Sequence, residues 1–89
     1  MSTMLVRHQV KDFEAWKTIY DEHGSVRRRY GLSEGGLYRD DGDPNMITAV
    51  LKADDLGRAR EFAASPDLKE TMGRAGVISQ PEIWYANDA

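Results

Sequence analysis

Residues 32–53, Leu32-Ser33-Glu34-Gly35-Gly36-Leu37-Tyr38-Arg39-Asp40-Asp41-Gly42-Asp43-Pro44-Asn45-Met46-Ile47-Thr48-Ala49-Val50-Leu51-Lys52-Ala53, hold the reading that decides the fold. Two extended runs, 32–39 and 46–53, flank a stretch of aspartate, glycine, proline and asparagine, the residue types that form tight turns. A β-hairpin is predicted here. Within the second run Ile47, Ala49 and Leu51 share one face, with Met46 and Val50 on the other. A sheet covered by helices on one side only has no use for two apolar faces. This strand therefore predicts a cover over its second face. Gly35-Gly36 predicts a bulge or the close approach of another backbone.

Upstream of the hairpin, Asp12 is placed to cap a helix, since its short carboxylate can accept from free amides of the first turn. Phe13, Trp16, Ile19, Tyr20, His23, Val26, Arg27 and Tyr30 then recur at three- and four-residue steps, the pattern of one amphipathic helix. Gly31 fits a left-handed stop, and Arg27, Arg28 and Arg29 suit the negative end of the helix dipole. Gly24 interrupts the pattern and predicts a kink or an early end. Before this helix, residues 3–9 alternate, with Met4, Val6 and His8 on one face. Downstream, Asp54-Asp55 opens a helix with Leu56, Ala59, Phe62 and Ala63 inward. Ser65-Pro66-Asp67 restarts it, and Leu68, Met72 and Ala75 continue the stripe to Gly76. Glu82-Ile83-Trp84-Tyr85-Ala86 is the last strand, and residues 87–89 read as a polar tail.

Working outward from the hairpin thus gives strand, helix, strand, strand, helix, strand. That order predicts one α+β domain over residues 1–89, a ferredoxin-like βαββαβ unit. Right-handed crossovers make it a four-stranded antiparallel sheet with the helices on one face. A chain of 89 residues buries roughly 64% of its unfolded surface, leaving a marginal monomer. Together with the two-faced strand, this predicts a homodimer through the free sheet face. The net charge of −3 argues against nucleic acid as a partner. No apolar run approaches the roughly 20 residues of a membrane helix. The opening residues lack the basic and apolar regions of a signal peptide and read straight into a strand. The sequence has no cysteine, which fits a reducing cytoplasm and removes thiolate metal sites and cysteine nucleophiles.

His23 and Arg27 are the candidate catalytic residues. An imidazole on the apolar stripe can act as general base near neutral pH, and a guanidinium one turn away can stabilise an enolate or carboxylate. Trp16, Tyr20, Tyr38 and Trp84 are candidates to line an aromatic pocket for a flat ligand, with His8 as a further contact. The helix advances about 16 Å from Asp12 to His23 at ~1.5 Å per residue. It runs antiparallel to the first strand, which puts His23 near the Met4 end and His8 over Phe13 or Trp16. That separation disfavours a shared metal, since zinc needs ligands near ~2 Å. The acidic turn lacks the spacing and closing glutamate of a calcium loop. No Walker loop, dinucleotide fingerprint or serine elbow is present, and no cofactor is expected. The structural alternative is a histidine bonded to a backbone carbonyl, Arg27 in a salt bridge, and the aromatics as core.

The runs Val6-Arg7-His8, Asp12-Phe13-Glu14-Ala15-Trp16-Lys17 and Asp21-Glu22-His23 resemble small bacterial proteins of the dimeric α+β barrel superfamily. So do Ala63-Ala64-Ser65-Pro66-Asp67-Leu68 and Arg74-Ala75-Gly76-Val77 through Pro81-Glu82. The resemblance implies two ferredoxin-like units packed sheet to sheet, each with a cavity between its sheet and helices. More distantly the chain resembles antibiotic-biosynthesis monooxygenases and polyketide cyclases of that fold. This implies a cofactor-independent cyclase or monooxygenase acting on a polyketide-like or other aromatic, enolisable molecule, or else a non-catalytic ligand-binding homodimer. One departure stands out. The monooxygenase branches rely on a pocket asparagine beside a tryptophan, whereas the asparagines here are Asn45 in the turn and Asn87 in the tail. The cyclase pairing of histidine with tyrosine leaves His23 with Tyr20 or Tyr38 for those parts.

Overall fold

A computed structural model describes residues 1–89. Eight elements follow the expected order: β1 (Ser2–Gln9), α1 (Phe13–Glu22), α2 (Gly24–Arg29), β2 (Leu32–Arg39), β3 (Met46–Ala53), α3 (Leu56–Ala63), α4 (Pro66–Ala75) and β4 (Glu82–Asn87). The strands form one antiparallel sheet in the order β2-β3-β1-β4, with the helices across one face. This is the ferredoxin-like α+β fold. No helix is long and apolar enough to cross a membrane.

Capping residues set the helix limits. Asp12 accepts from the Glu14 amide, Asp55 from the Gly57 amide, and Ser65 from the Leu68 amide, with Pro66 opening α4. Each cap satisfies a donor that the first helical turn leaves unpaired. The stretch predicted as one long helix is broken at His23, which ends α1 and precedes α2. Gly24, the predicted interruption, begins the second piece. The predicted polar tail is shorter than expected: Asn87 belongs to β4, where its side chain accepts from the Ser2 hydroxyl at 2.6 Å.

Met4, Val6, Leu51, Ala53, Phe62 and Leu68 belong to the larger apolar core; Val10, Trp16, Ile47 and Ala75 form a second one beneath α1. The far face of the sheet carries Leu5 opposite Val50 and Trp84, and Tyr38 opposite Thr48. Arg7, Thr48, Lys52 and Glu82 share this face, and its apolar residues are open in the single chain, with Trp84 49% and Tyr38 59% exposed.

One local irregularity changes which residues face the helices. The β2–β3 register slips between Glu34 and Gly36, the predicted bulge. A Cβ on Gly35 would stand 2.9 Å from the Val50 carbonyl oxygen, so only glycine allows this approach. The slip reverses the strand's alternation. Glu34 and Leu37 both face the helices, opposite Leu51 and Ala49, while Gly36 and Tyr38 point to the far face. The expectation that Tyr38 lines the cavity is therefore corrected. Strict alternation from Glu34 puts Tyr38 inward, and the bulge turns it outward.

Candidate functional site

Between the sheet and the helices lies a mostly apolar cavity of about 50 Å³. Of the predicted site residues, His8, Trp16, Tyr20, His23 and Arg27 all line it; Tyr38 does not. Trp84, on the far face, is also absent from its walls. Both histidines border this space, His8 beside Trp16 and His23 beside Phe62.

His8 stands on β1 opposite Ile47, on the helix-facing side with Met4 and Val6. Its ring meets the edge of Trp16 at 5.6 Å, as the antiparallel run of α1 predicts. It is 5% exposed, and neither ring nitrogen has a hydrogen-bond partner. Burial pushes its pKa from 6.5 down to about 4, because the surroundings cannot solvate an imidazolium. At neutral pH His8 is therefore an uncharged ring with one donor and one acceptor, both unused.

His23 is differently held. Its Nε2–H donates to Asp67 Oδ2 at 2.8 Å, linking the α1–α2 junction to the first turn of α4. The expected backbone-carbonyl partner is replaced by a carboxylate. A carboxylate only accepts, so the proton at this contact belongs to Nε2. The His23 ring also packs against Phe62, 5.9 Å between centroids.

Arg27 is buried at 5% exposure with its charge compensated. Its Nε donates to Glu34 Oε1 at 3.1 Å, and Nη2 pairs with the same oxygen at 3.0 Å. Its guanidinium lies 3.7 Å over the Tyr20 ring, a cation–π contact. The Tyr20 hydroxyl donates to Glu34 Oε2 at 2.6 Å, and its ring stacks on Trp16 at 4.7 Å. Burial first, then the bond to Glu34, raises the Tyr20 pKa, so the phenol keeps its proton.

Glu34 and Asp67 are the polar partners that sequence reasoning missed. Asp67 read only as part of a helix-start signal, and nothing local ties it to a histidine 44 positions away. Glu34 sat in a strand interior, and no local signal ties it to Tyr20 or Arg27. The cavity walls also hold Thr71 and the flexible Met72. Chemically, the site offers a neutral imidazole inside, a carboxylate-oriented imidazole, and a buried cation, framed by aromatic rings. No metal-binding cluster of histidine and carboxylates is formed.

No family model and no curated protein matches this sequence. Solved structures do match along its whole length. A candidate antibiotic biosynthesis monooxygenase from Bordetella bronchiseptica superposes with a TM-score of 0.79 at 14% identity, covering 99% of this chain and 96% of that one. A conserved protein from Methanosarcina mazei Go1 gives 0.74 at 17%, covering 100% and 94%. SnoaB, a cofactor-independent oxygenase from Streptomyces nogalater crystallised as a point mutant, gives 0.70 at 18%, covering 99% and 94%. The chain thus has the fold of antibiotic-biosynthesis-monooxygenase structures, the fold that the sequence resemblance implied.

Proposed function

We propose that this chain takes a small aromatic or enolisable molecule into the sheet–helix cavity and acts on it without a cofactor, as a cyclase or monooxygenase. The observation that carries this reading is His8. A buried imidazole with both nitrogens unpaired costs stability, and a ligand hydroxyl or carbonyl against it recovers that cost. His23, oriented by Asp67, serves as base. Arg27 stabilises developing negative charge, while Trp16 and Tyr20 flank the ring and His8 hydrogen-bonds it. The likeness in fold to a cofactor-independent oxygenase supports the cofactor-free chemistry. The protein works in the cytoplasm, a compartment that its lack of cysteine fits.

A thermal-shift panel of phenols and aromatic acids tests the binding step. A ligand at about 100 times its dissociation constant adds about 2.7 kcal/mol, a readily seen shift in a domain this small. Oxygen consumption and product analysis then follow on the ligands that bind. His23→Gln is expected to keep binding and lose turnover by about 100-fold or more, the usual range for a general base. A fully active variant overturns the base assignment.

The same reading makes the protein a homodimer, two copies meeting through the open sheet face that carries Leu5, Val50, Tyr38 and Trp84. Sedimentation should show a dimer for the wild type and a monomer for Trp84→Glu, because a carboxylate in that apolar patch cannot be desolvated cheaply. A monomeric wild type removes the dimer from the proposal. A second reading, a non-catalytic ligand-binding homodimer, is favoured by one observation: His23 and Arg27 are already engaged by Asp67 and Glu34. Binding without turnover selects it.

A further inference from the structure

Tyr20 and Arg27 belong to two spaces at once. They line the sheet–helix cavity, and they also line an outer groove of about 330 Å³ with Lys17, Arg28 and Glu34. At this partition two hydrogen bonds and an ion pair converge on one carboxylate: Arg27 Nε donates to Glu34 Oε1, Arg27 Nη2 stands 3.0 Å from the same oxygen, and the Tyr20 hydroxyl donates to Oε2. The donors are fixed. Arg27 is buried and stacked on Tyr20, and Tyr20 is stacked on Trp16. The acceptor is loose. The Glu34 side chain is 55% exposed, on an edge strand, beside a bulge. A half-buried carboxylate cradle, built on the buried Arg27 and the stacked Tyr20, is thus filled by a side chain that water can readily solvate elsewhere.

We infer that this cradle is a ligand site which Glu34 fills in the free protein, and that its ligand is a one-ring aromatic carboxylate bearing a second polar group. The inference rests on the small-molecule reading above and narrows it. The ligand's carboxylate replaces Glu34 at Arg27 and Tyr20, its ring enters the cavity, and its far polar group reaches His8. Tyr20 and His8 are two ring contacts apart through Trp16, 4.7 and 5.6 Å between successive centroids. These contacts bound the Tyr20–His8 separation from above, and a para-substituted benzoate with its hydrogen bonds is long enough to span it.

Charge and shape select a carboxylate. Displacing Glu34 leaves Arg27 without its partner, and Arg28, which has no ion pair, lines the same groove, so an anion is favoured there. The two oxygens of Glu34, one on Arg27 and one on the Tyr20 hydroxyl, mark where those of a planar carboxylate would sit. Size selects one ring. The cavity of about 50 Å³ is smaller than the roughly 150 Å³ apolar cavity that holds benzene. It must widen, and release of Glu34 unties the two side chains that separate it from the groove. Recognition of the acid therefore opens the way for the ring.

The test compares para-hydroxybenzoate with neutral para-hydroxybenzamide by calorimetry, on the wild type and on Glu34→Gln. Circular dichroism and the melting curve confirm that the variant folds. The acid is expected to bind the wild type about tenfold tighter than the amide, as charge-assisted bonds exceed neutral ones. Glu34→Gln removes the internal competitor and should raise the acid-to-amide affinity ratio by a further tenfold or so. If the amide binds but the ratio is near one, or falls in Glu34→Gln, the carboxylate inference is overturned while the small-molecule reading survives. If neither compound binds either protein, both are overturned.

Discussion

Trp16→Ala is expected to lower stability by about 3–5 kcal/mol, the usual cost of truncating a fully buried tryptophan. At 0.05–0.15 kcal/mol per residue, a domain of this length has about 4–13 kcal/mol in total. The variant should therefore melt far below the wild type, or be unfolded at room temperature. Trp16 is 3% exposed and belongs to the smaller core, with Val10, Ile47 and Ala75. It also organises the site: Tyr20 stacks on one side, and His8 meets it edge-on. Urea unfolding followed by far-ultraviolet circular dichroism reads the loss, with Trp16→Phe as the control that keeps most of the packing. A cost below about 1 kcal/mol would place this indole at a site that collapses easily. α1 would then be anchored by other residues. Because a dimer adds stability by mass action, the comparison needs matched protein concentrations.

The parts of this fold that the sequence made legible are those governed by local rules. Asp12, Asp55 and Ser65 cap helices because short acceptors suit free amides, and Gly31 and Gly76 adopt the left-handed stops that other residues resist. The two-faced apolar pattern of β3 correctly signalled a sheet with a second apolar face. The placement of His8 over Trp16 followed from helix rise and chain direction alone. The site was only half legible. His23 and Arg27 lie on the cavity as the helical stripe required. Their carboxylate partners, however, come from β2 and α4, and pairing across elements leaves no periodic trace. Tyr38 was misplaced for a subtler reason. The glycines announced a bulge, but a bulge at Gly35 reverses every facing beyond it, and strict alternation carries the opposite sign. The slip leaves Glu34 on the helix-facing side, within reach of Tyr20 and Arg27, and turns Tyr38 outward. A single irregularity thus moved one predicted residue off the candidate site.

His8→Leu is expected to stabilise the protein while weakening ligand binding by about tenfold, the worth of one hydrogen bond. In the wild type, two buried ring nitrogens have lost water and gained no partner, a penalty of about 1–3 kcal/mol that an apolar side chain of similar size removes. At about 4–8 °C per kcal/mol for a domain of this size, the melting temperature at neutral pH should rise visibly. A second signature comes from protons. The His8 pKa is held down to about 4 in the folded chain, against the ordinary 6.5. Below pH 6.5 the unfolded chain therefore binds a proton that the folded chain refuses, and stability falls as the pH drops towards 4. The full gap is worth about 3 kcal/mol, at about 1.4 kcal/mol per pH unit. Below pH 4 both states carry the proton, and this contribution levels off. The carboxylates titrate in much the same range, so the informative quantity is the wild-type curve minus that of His8→Leu. That difference should be flat above pH 7 and widen between pH 6.5 and 4. A pH-independent difference would mean that the His8 ring finds a partner, such as an ordered water, in solution. An imidazole kept in the core with both nitrogens unpaired costs folding free energy that a role in binding would offset. Recognition of a ligand is the use that the two free nitrogens support.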